Sequence, residues 1–269
     1  MDVRLFPNSA RPGVGMRPRQ ESRRPQLPQH ARHCPVLEAG SLLGYLVYPP
    51  LLEHEAYFVE FLGDGRYRFT FYVGRPGGER QPIYAVTVAL PVGGVGRMRE
   101  DVEFAGANPP LSAEAARLMA RIFVVPEDFG TPTGAVTLRG ATNFQTPDGW
   151  DTVYTSVVNN IERPVAPVLV VRVETDWYPH ESEFRYVLQP GEGIAGAHHM
   201  PVGQVFFVPR EPVTLRDCTA AEEAAINEAK QAFARGKAEL TQTSPLGLQY
   251  SPHYARLAKA RRPDGESSP

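Results

Sequence analysis

The chain has 269 residues, of which 42% are hydrophobic and 22% charged, and it contains 27 prolines and 24 glycines. These values are typical of a globular protein of one or two domains, and they exclude a coiled coil and a collagen-like fibre. The formal net charge is −2, and the two cysteines, Cys34 and Cys218, are too few for a disulfide framework.

Positive and negative charges are unevenly distributed along the chain. Residues 1–35 carry seven arginines against two acidic residues, a net charge of +5, and residues 251–269 carry +2. Because the whole chain carries −2, residues 36–250 carry −9. A body of that sign repels phosphate, so we expect no nucleic-acid partner.

The N-terminal 35 residues combine their arginines with six prolines and few apolar side chains. Such a segment buries too little apolar surface to offset its ordering entropy, which predicts a flexible arm. An arm of this charge could also dock an acidic protein, and this structural role stays open as a further alternative.

From Ser41 onward, short apolar runs are separated by Gly, Pro and Asp, which predicts strands joined by tight turns. The clearest unit is a hairpin of residues 55–62 and 66–73 around Gly63-Asp64-Gly65. The other predicted strands are 42–48, 82–90, 134–139, 150–158, 167–174, 183–189, 204–208 and 213–216. This density predicts a mainly β fold, an antiparallel β-barrel or sandwich of about 8–10 strands.

Two further features are predicted to be helical. Residues 112–121 form one short helix inserted among the strands, with Ser112 as its N-cap. Thr219 and Glu222 match a capping box, which begins a C-terminal helix that reaches about Leu240. A short basic helix follows Pro252.

The apolar stripe of the C-terminal helix is narrow and consists of Ile226, Ala229, Phe233 and Leu240. Such a stripe favours packing on the outside of a sheet or against a second copy, and we expect a homodimer. The predicted division is therefore an arm at 1–35, a β domain at 36–218, C-terminal helices at 219–262 and a disordered tail at 263–269.

No apolar run approaches the roughly 20 residues that a membrane helix needs, and the first residues lack the apolar core of a secretion signal. We therefore expect a cytoplasmic protein without membrane insertion.

Residues 174–183 place four carboxylates, His180 and two aromatic side chains in one turn between predicted strands. Asp176 or Glu174 beside these rings could have a pKa raised by desolvation, as a general acid or base requires. His180 is the third candidate. The histidine spacings match no metal-site pattern, so we expect no metal and no cofactor.

A plainer interpretation of the same turn is favoured. Arg172 and Glu174 would form cross-strand ion pairs with Glu183 and Arg185 on a wet surface, so that no residue of the turn is catalytic.

Aromatic side chains concentrate in or beside the predicted strands. Several of them facing one interior would suit a mostly apolar ligand with a few polar anchors. The predicted ligand-binding residues are Tyr57, Phe69, Phe71, Tyr84, Trp150, Tyr154, Trp177, Phe184, Tyr186 and Phe206.

The stretch from Gly149 to Phe233 resembles a bacterial family known as a domain of unknown function. The likeness consists of a Gly-Trp strand, a Val-Glu-Thr-Asp-Trp-Tyr-Pro turn, an aromatic strand and a Pro/Phe strand that leads into an acidic helix. The resemblance implies a β-rich scaffold and, by analogy, a place in natural-product biosynthesis. It supplies no catalytic residue.

These observations together predict a non-catalytic binding protein. It would hold a fatty-acyl, polyene or polyketide-like intermediate in a β-barrel cavity. The alternative is a metal-independent cyclase or hydrolase that acts on such a ligand with Asp176, Glu174 or His180.

Overall fold

The computed structural model describes residues 2–28, 31–32, 34–74, 78–91, 97–107, 109–123, 132–160, 166–243, 247 and 249–261. The chain divides into two compact units. One consists of Met1–His33 with Leu37–Glu211, and the other of Cys34–Val36 with Pro212–Pro269. The β region therefore ends before Pro212 and not at residue 218 as the sequence predicts.

The strands of the first unit are β1 (Arg4–Pro7), β2 (Tyr45–Val47), β3 (Glu55–Gly63), β4 (Arg66–Gly74), β5 (Arg80–Ala89), β6 (Arg99–Phe104), β7 (Ala135–Arg139), β8 (Thr142–Gln145), β9 (Trp150–Thr155), β10 (Val168–Leu169), β11 (Val171–Val173), β12 (Glu183–Val187), β13 (Gly193–Ala197) and β14 (Gly203–Pro209). The helices are α1 (Pro35–Ser41) and α2 (Ala113–Ala120), besides a 3-10 turn at Arg24–Gln26. Ser112 caps α2 as predicted, since its side chain accepts a hydrogen bond from the Ala115 amide.

These strands form antiparallel sheets. The largest has the order β13-β3-β4-β5-β6, and smaller sheets have the orders β11-β9-β14-β2, β10-β12-β7 and β1-β8. The mainly β, antiparallel prediction is confirmed, with 16 strands in the described chain against about 8–10 predicted. None of the sheets built from described residues closes into a barrel, which agrees with the sandwich alternative.

The predicted hairpin is the centre of the largest sheet. Strands β3 and β4 pair along their whole length, and Gly63, Asp64 and Gly65 all have positive φ. A turn of this kind needs positive φ at both central residues, which explains the Asp-Gly sequence at its tip. Alternate side chains of β3, including Tyr57, are buried in the core.

Residues 167–174, predicted as one strand, belong to two sheets. Val168 and Leu169 pair with β12, whereas Val171, Arg172 and Val173 pair with β9. The change of sheet occurs at Val170, whose side chain is 61% exposed. Strands that turn a corner between sheets in this way join the layers of a sandwich.

The N-terminal segment is part of the fold, which corrects the predicted flexible arm. Strand β1 pairs with β8, and the buried Asn8 side chain donates to the Gly140 carbonyl at 3.0 Å. Further along, Arg19 forms an isolated antiparallel bridge with Leu46. Composition alone missed these contacts because their partners lie far away in the sequence.

A buried ion pair ties this segment to β3. Arg11 Nη1 and Nη2 lie 2.8 and 2.9 Å from Glu55 Oε2 and Oε1, and the two side chains are only 14% and 10% exposed. Arg11 also donates to the Pro50 carbonyl, and Glu55 accepts from the Leu52 amide. The pair is bidentate and each partner makes one further hydrogen bond, which is the geometry that offsets desolvation.

The second unit contains the strands β15 (Gln242–Thr243) and β16 (Gln249–Tyr250) and the helices α3 (Ala220–Glu239) and α4 (His253–Ala260). The predicted capping box of Thr219 and Glu222 is present at the start of α3. The strand predicted at 213–216 is wrong. Val213 and Leu215 are 86% and 91% exposed, and the segment pairs with no described strand.

We expect the variant Arg11→Ala to lower the free energy of unfolding by about 3 to 5 kcal/mol, because it leaves the Glu55 carboxylate buried without its partner. Urea denaturation followed by circular dichroism measures this change. The control Arg4→Ala removes an exposed arginine from the same segment and should change stability by no more than about 0.5 kcal/mol. Equal effects of the two variants would contradict the integral role of this segment.

Candidate functional site

Most of the aromatic residues predicted to bind ligand form the packed core instead. Ring centroids lie 4.3 Å apart for Tyr57 and Phe123, 5.0 Å for Phe69 and Phe123, and 5.5 Å for Phe71 and Tyr84. These are contact distances between rings, so the side chains pack on one another. The predicted residues that are buried in this way are Tyr57, Phe69, Phe71, Tyr84, Tyr154, Phe184 and Tyr186.

The remaining three predicted residues lie elsewhere. Trp177 is 67% exposed, and Trp150 and Phe206 are half-buried. Burial raises the pKa of the Tyr84 hydroxyl, and it raises the pKa of Tyr154 to about 12. The structure therefore does not bring these ten side chains together, because strand alternation identifies an apolar face but does not reveal whether that face is already filled.

An apolar groove of about 450 Å³ lies beside β13. Its lining includes Leu138 and Tyr186, from the sheet β10-β12-β7, and Phe58 and Ile194, from β3 and β13. The groove is completed by Val157, Asn160, Ala166, Pro167, Leu188, Glu192, Gly193, Ala195, Gly196, Met200, Pro201 and Val202. We call this cavity the β13 groove. Tyr186 is the single predicted ligand residue that lines it.

Small residues in β13 shape this groove. A Cβ atom on Gly193 would overlap the Phe58 ring, and one on Gly196 would overlap the Tyr57 ring. Glycine at these positions therefore lets aromatic side chains lie directly over the strand. The sequence Gly-Ile-Ala-Gly-Ala contains a single residue that favours strands, Ile194, so sequence analysis missed both β13 and the groove. A run of small residues beside a strongly aromatic hairpin is the signal that could have indicated it.

Polar side chains are few in the β13 groove. Glu192 is the charged residue among the lining side chains, and its Oε2 accepts a hydrogen bond from the Gln189 amide at 2.8 Å. Asn160 contributes an amide. Tyr186 donates its hydroxyl to the Val202 carbonyl at 2.8 Å, which fixes the ring at the groove wall.

The acidic turn forms a different cluster, centred on Asp151. This carboxylate, with a side chain only 2% exposed, accepts from Arg172 Nε at 2.6 Å and from Arg210 Nη2 at 2.6 Å. Burial acts to raise the pKa of Asp151, but the hydrogen bonds from both arginines outweigh it and hold that pKa below its usual value. The predicted partner of Arg172, Glu183, instead lies 3.1 Å from Arg139.

Two of the alternative catalytic residues belong to this cluster. Asp176 Oδ1 lies 2.7 Å from Arg210 Nη2, and Asp176 also accepts from the Gly149 amide. The Arg210 hydrogen bond lowers the pKa of Asp176, which is opposite to the raised pKa that a general acid requires. Glu174 accepts the indole N–H of Trp177 at 2.5 Å and lies 3.8 Å from Arg210.

Thr175, between these two acids, is buried. Its hydroxyl lies 2.9 Å from that of Thr146 and 2.7 Å from that of Thr152. Each member of the Glu-Thr-Asp-Trp run therefore has a contact that stabilises the fold, and these contacts are a structural explanation of the motif.

The third alternative catalytic residue, His180, packs between aromatic rings. Its ring centroid lies 5.7 Å from that of Tyr154 and 5.6 Å from that of Tyr178. Burial lowers its pKa. A small cleft of about 180 Å³ brings its side chain together with Glu183 and Arg185, whereas Asp176 and Glu174 do not line that cleft.

Within the described residues, no group of three or more His, Cys, Asp or Glu side chains has the geometry to hold a metal ion. Cys34 and Cys218 are both free thiols. None of the helices in the described part of the chain combines the length and the apolar character needed to cross a membrane.

No family model, no curated protein and no solved structure matches this chain.

Stability should depend on His180 below neutral pH. Its pKa is lower in the folded chain than in the unfolded chain, so the unfolded state binds more protons and the free energy of unfolding falls as pH falls below about 6.5. We expect the variant His180→Phe to lose less stability between pH 7.5 and pH 5.5 than the unmodified protein. Denaturation curves at both pH values measure the difference.

The matched control is His199→Phe, which removes an exposed imidazole and leaves His180 in place. It should keep the pH dependence of the unmodified protein. If His180→Phe kept it too, the buried environment assigned to His180 would be wrong.

Proposed function

We propose that this protein binds a neutral, apolar chain in the β13 groove and does not transform it. The observation that carries the proposal is the groove itself, about 450 Å³ in volume and lined mainly by apolar side chains with few polar ones. Small-molecule sites are typically clefts of about 300–1,000 Å³ with this kind of lining. A fatty-acyl, polyene or polyketide-like intermediate of natural-product biosynthesis fits this description.

The charge of the surroundings selects the head group of such a ligand. Glu192 places a carboxylate at the groove, and the first unit, Met1–His33 with Leu37–Glu211, carries a net charge of −3. A ligand that ends in a carboxylate would be repelled by both. We therefore propose that the ligand ends in a neutral or cationic group, such as an alcohol, an amide or an ester.

The arrangement favours binding over catalysis. Asp176 and Glu174 are held by Arg210 and Trp177, and neither lines the β13 groove. His180 is likewise absent from the lining. A reaction in the groove would thus lack the acids and the imidazole proposed for the enzyme alternative.

The free thiols of Cys34 and Cys218 support the proposal of a reducing compartment such as the cytoplasm.

Chain length gives a quantitative test of apolar binding. Burial of one methylene contributes about 0.8 kcal/mol, so affinity should rise about fourfold per methylene along the series octanol, decanol and dodecanol. Displacement of the probe Nile red, followed by its fluorescence, measures these affinities. Decanol should bind more tightly than decanoate, because the carboxylate meets Glu192.

The variant Ala195→Trp should weaken binding of Nile red and decanol at least tenfold, because an exposed small residue of the groove is replaced by a bulky one. The control Thr87→Trp makes the same kind of change on β5, outside the groove, and should keep binding within about twofold. Asp176→Ala should also keep it. Equal binding by Ala195→Trp and Thr87→Trp, or no binding of any alcohol, would overturn the proposal.

A further inference from the structure

Helix α3 is unusually exposed for its length. It has 20 residues, none of them buried, and no described residue of the second unit is buried. Helices of this length gain most of their stability from packing of an apolar face. A unit of about 60 residues without its own core needs a further surface to cover its apolar side chains.

The apolar side chains of α3 that need covering are Ile226 and Phe233. They lie seven residues apart and therefore share one helix face, and they are 45% and 37% exposed. Helix α4 contacts the edge of this face at Phe233, whose ring centroid lies 4.9 Å from that of His253, and both side chains stay partly exposed. Beside them lies an apolar crevice of about 670 Å³, lined by Ala229, Tyr254 and Leu257 among others.

The charges along α3 differ between its two ends. Glu222 and Glu223 lie in the first turn, while Arg235 and Lys237 lie near the end, followed by the single acid Glu239. Glu222 already pairs with Arg216 at 2.6 Å, and its side chain is still 42% exposed. The distribution also stabilises the single helix through its dipole. Because one end is acidic and the other basic, the two ends of α3 are complementary in charge.

The charged residues on the exposed face of α3 are spaced equally from the apolar pair at both ends, with an acid at one end and a base at the other. Glu222 lies four residues before Ile226, and Lys237 lies four residues after Phe233. If two such helices run antiparallel, Ile226 of one lies beside Phe233 of the other, and the acidic end of one lies beside the basic end of the other. In a parallel pair, like charges would meet instead.

We propose that a second copy of this chain covers α3, through antiparallel pairing of the two α3 helices around a two-fold axis near Ala229 and Lys230. The same patch on both copies meets itself, as in most homodimers. The apolar pair supplies the buried centre of this contact, and the charged ends set its direction. This pairing does not depend on ligand binding in the β13 groove.

Light scattering and sedimentation of the full-length protein, over a range of concentrations, test the pairing. We expect a dimer whose dissociation constant rises at least tenfold in the variant Ile226→Lys. Gln231→Lys is the matched control, because it adds the same charge on the opposite face of α3 and should change the constant by less than twofold. Circular dichroism establishes that both variants keep their helix content.

Cysteine cross-linking tests the direction of pairing. With Cys34→Ser and Cys218→Ser as the background, the variant Lys230→Cys should form a disulfide-linked dimer on oxidation, because the two residues lie near the axis. Lys237→Cys should not, since 15 residues at 1.5 Å each place the two copies about 22 Å apart along an antiparallel pair.

Three results would overturn the proposal. One is a monomer at every concentration. The second is a dimer that Ile226→Lys leaves intact. The third is cross-linking of Lys237→Cys, which would indicate parallel pairing, because equivalent residues lie beside each other along the whole length of a parallel pair.

Discussion

The packing of aromatic rings inside the first unit is the constraint on which the rest of its structure depends. Phe123, which follows α2, places its ring 4.3 Å from Tyr57 and 5.0 Å from Phe69. Rings in contact with one another leave no room for a long ligand among them. The β13 groove, which is proposed to hold the ligand, lies instead at the side of the sheet, where β13 consists mainly of glycine and alanine.

Several charged groups around this core form ion pairs. Arg11 and Glu55 neutralise each other where the N-terminal segment meets β3, and Asp151 of β9 pairs with Arg172 and Arg210, of which Arg210 also pairs with Asp176. Buried charges need such partners to offset their desolvation. Asp176 and Glu174 of the acidic turn therefore belong to an ion-pair cluster that joins strands.

Local patterns in the sequence predicted the local structure well. The Gly63-Asp64-Gly65 turn, the Ser112 cap and the capping box at Thr219 each depend on a few neighbouring residues, and each is present. The N-terminal strand and the change of sheet at Val170 depend on partners more than a hundred residues away or on another strand's register. Neither composition nor alternation of side chains contains that information.

The candidate site shows the same limit in a sharper form. Alternation in β3 and β4 identified the aromatic face correctly, but only the three-dimensional packing shows that Phe123 fills the space against it. The β13 groove is lined by Phe58, which lies on β3 between the buried residues Tyr57 and Val59, and by the small residues of β13. A sequence-based search for large aromatic side chains does not find the β13 groove, because several of its lining residues are glycine or alanine.

A crystal structure with a bromine-labelled long-chain alcohol tests this account most directly, because the anomalous signal of bromine locates the chain. The account predicts a peak in the β13 groove, within contact distance of Phe58, Ile194 and Met200. A peak among Tyr57, Phe69 and Tyr84 would contradict it, since it would show that the aromatic interior opens to hold the ligand.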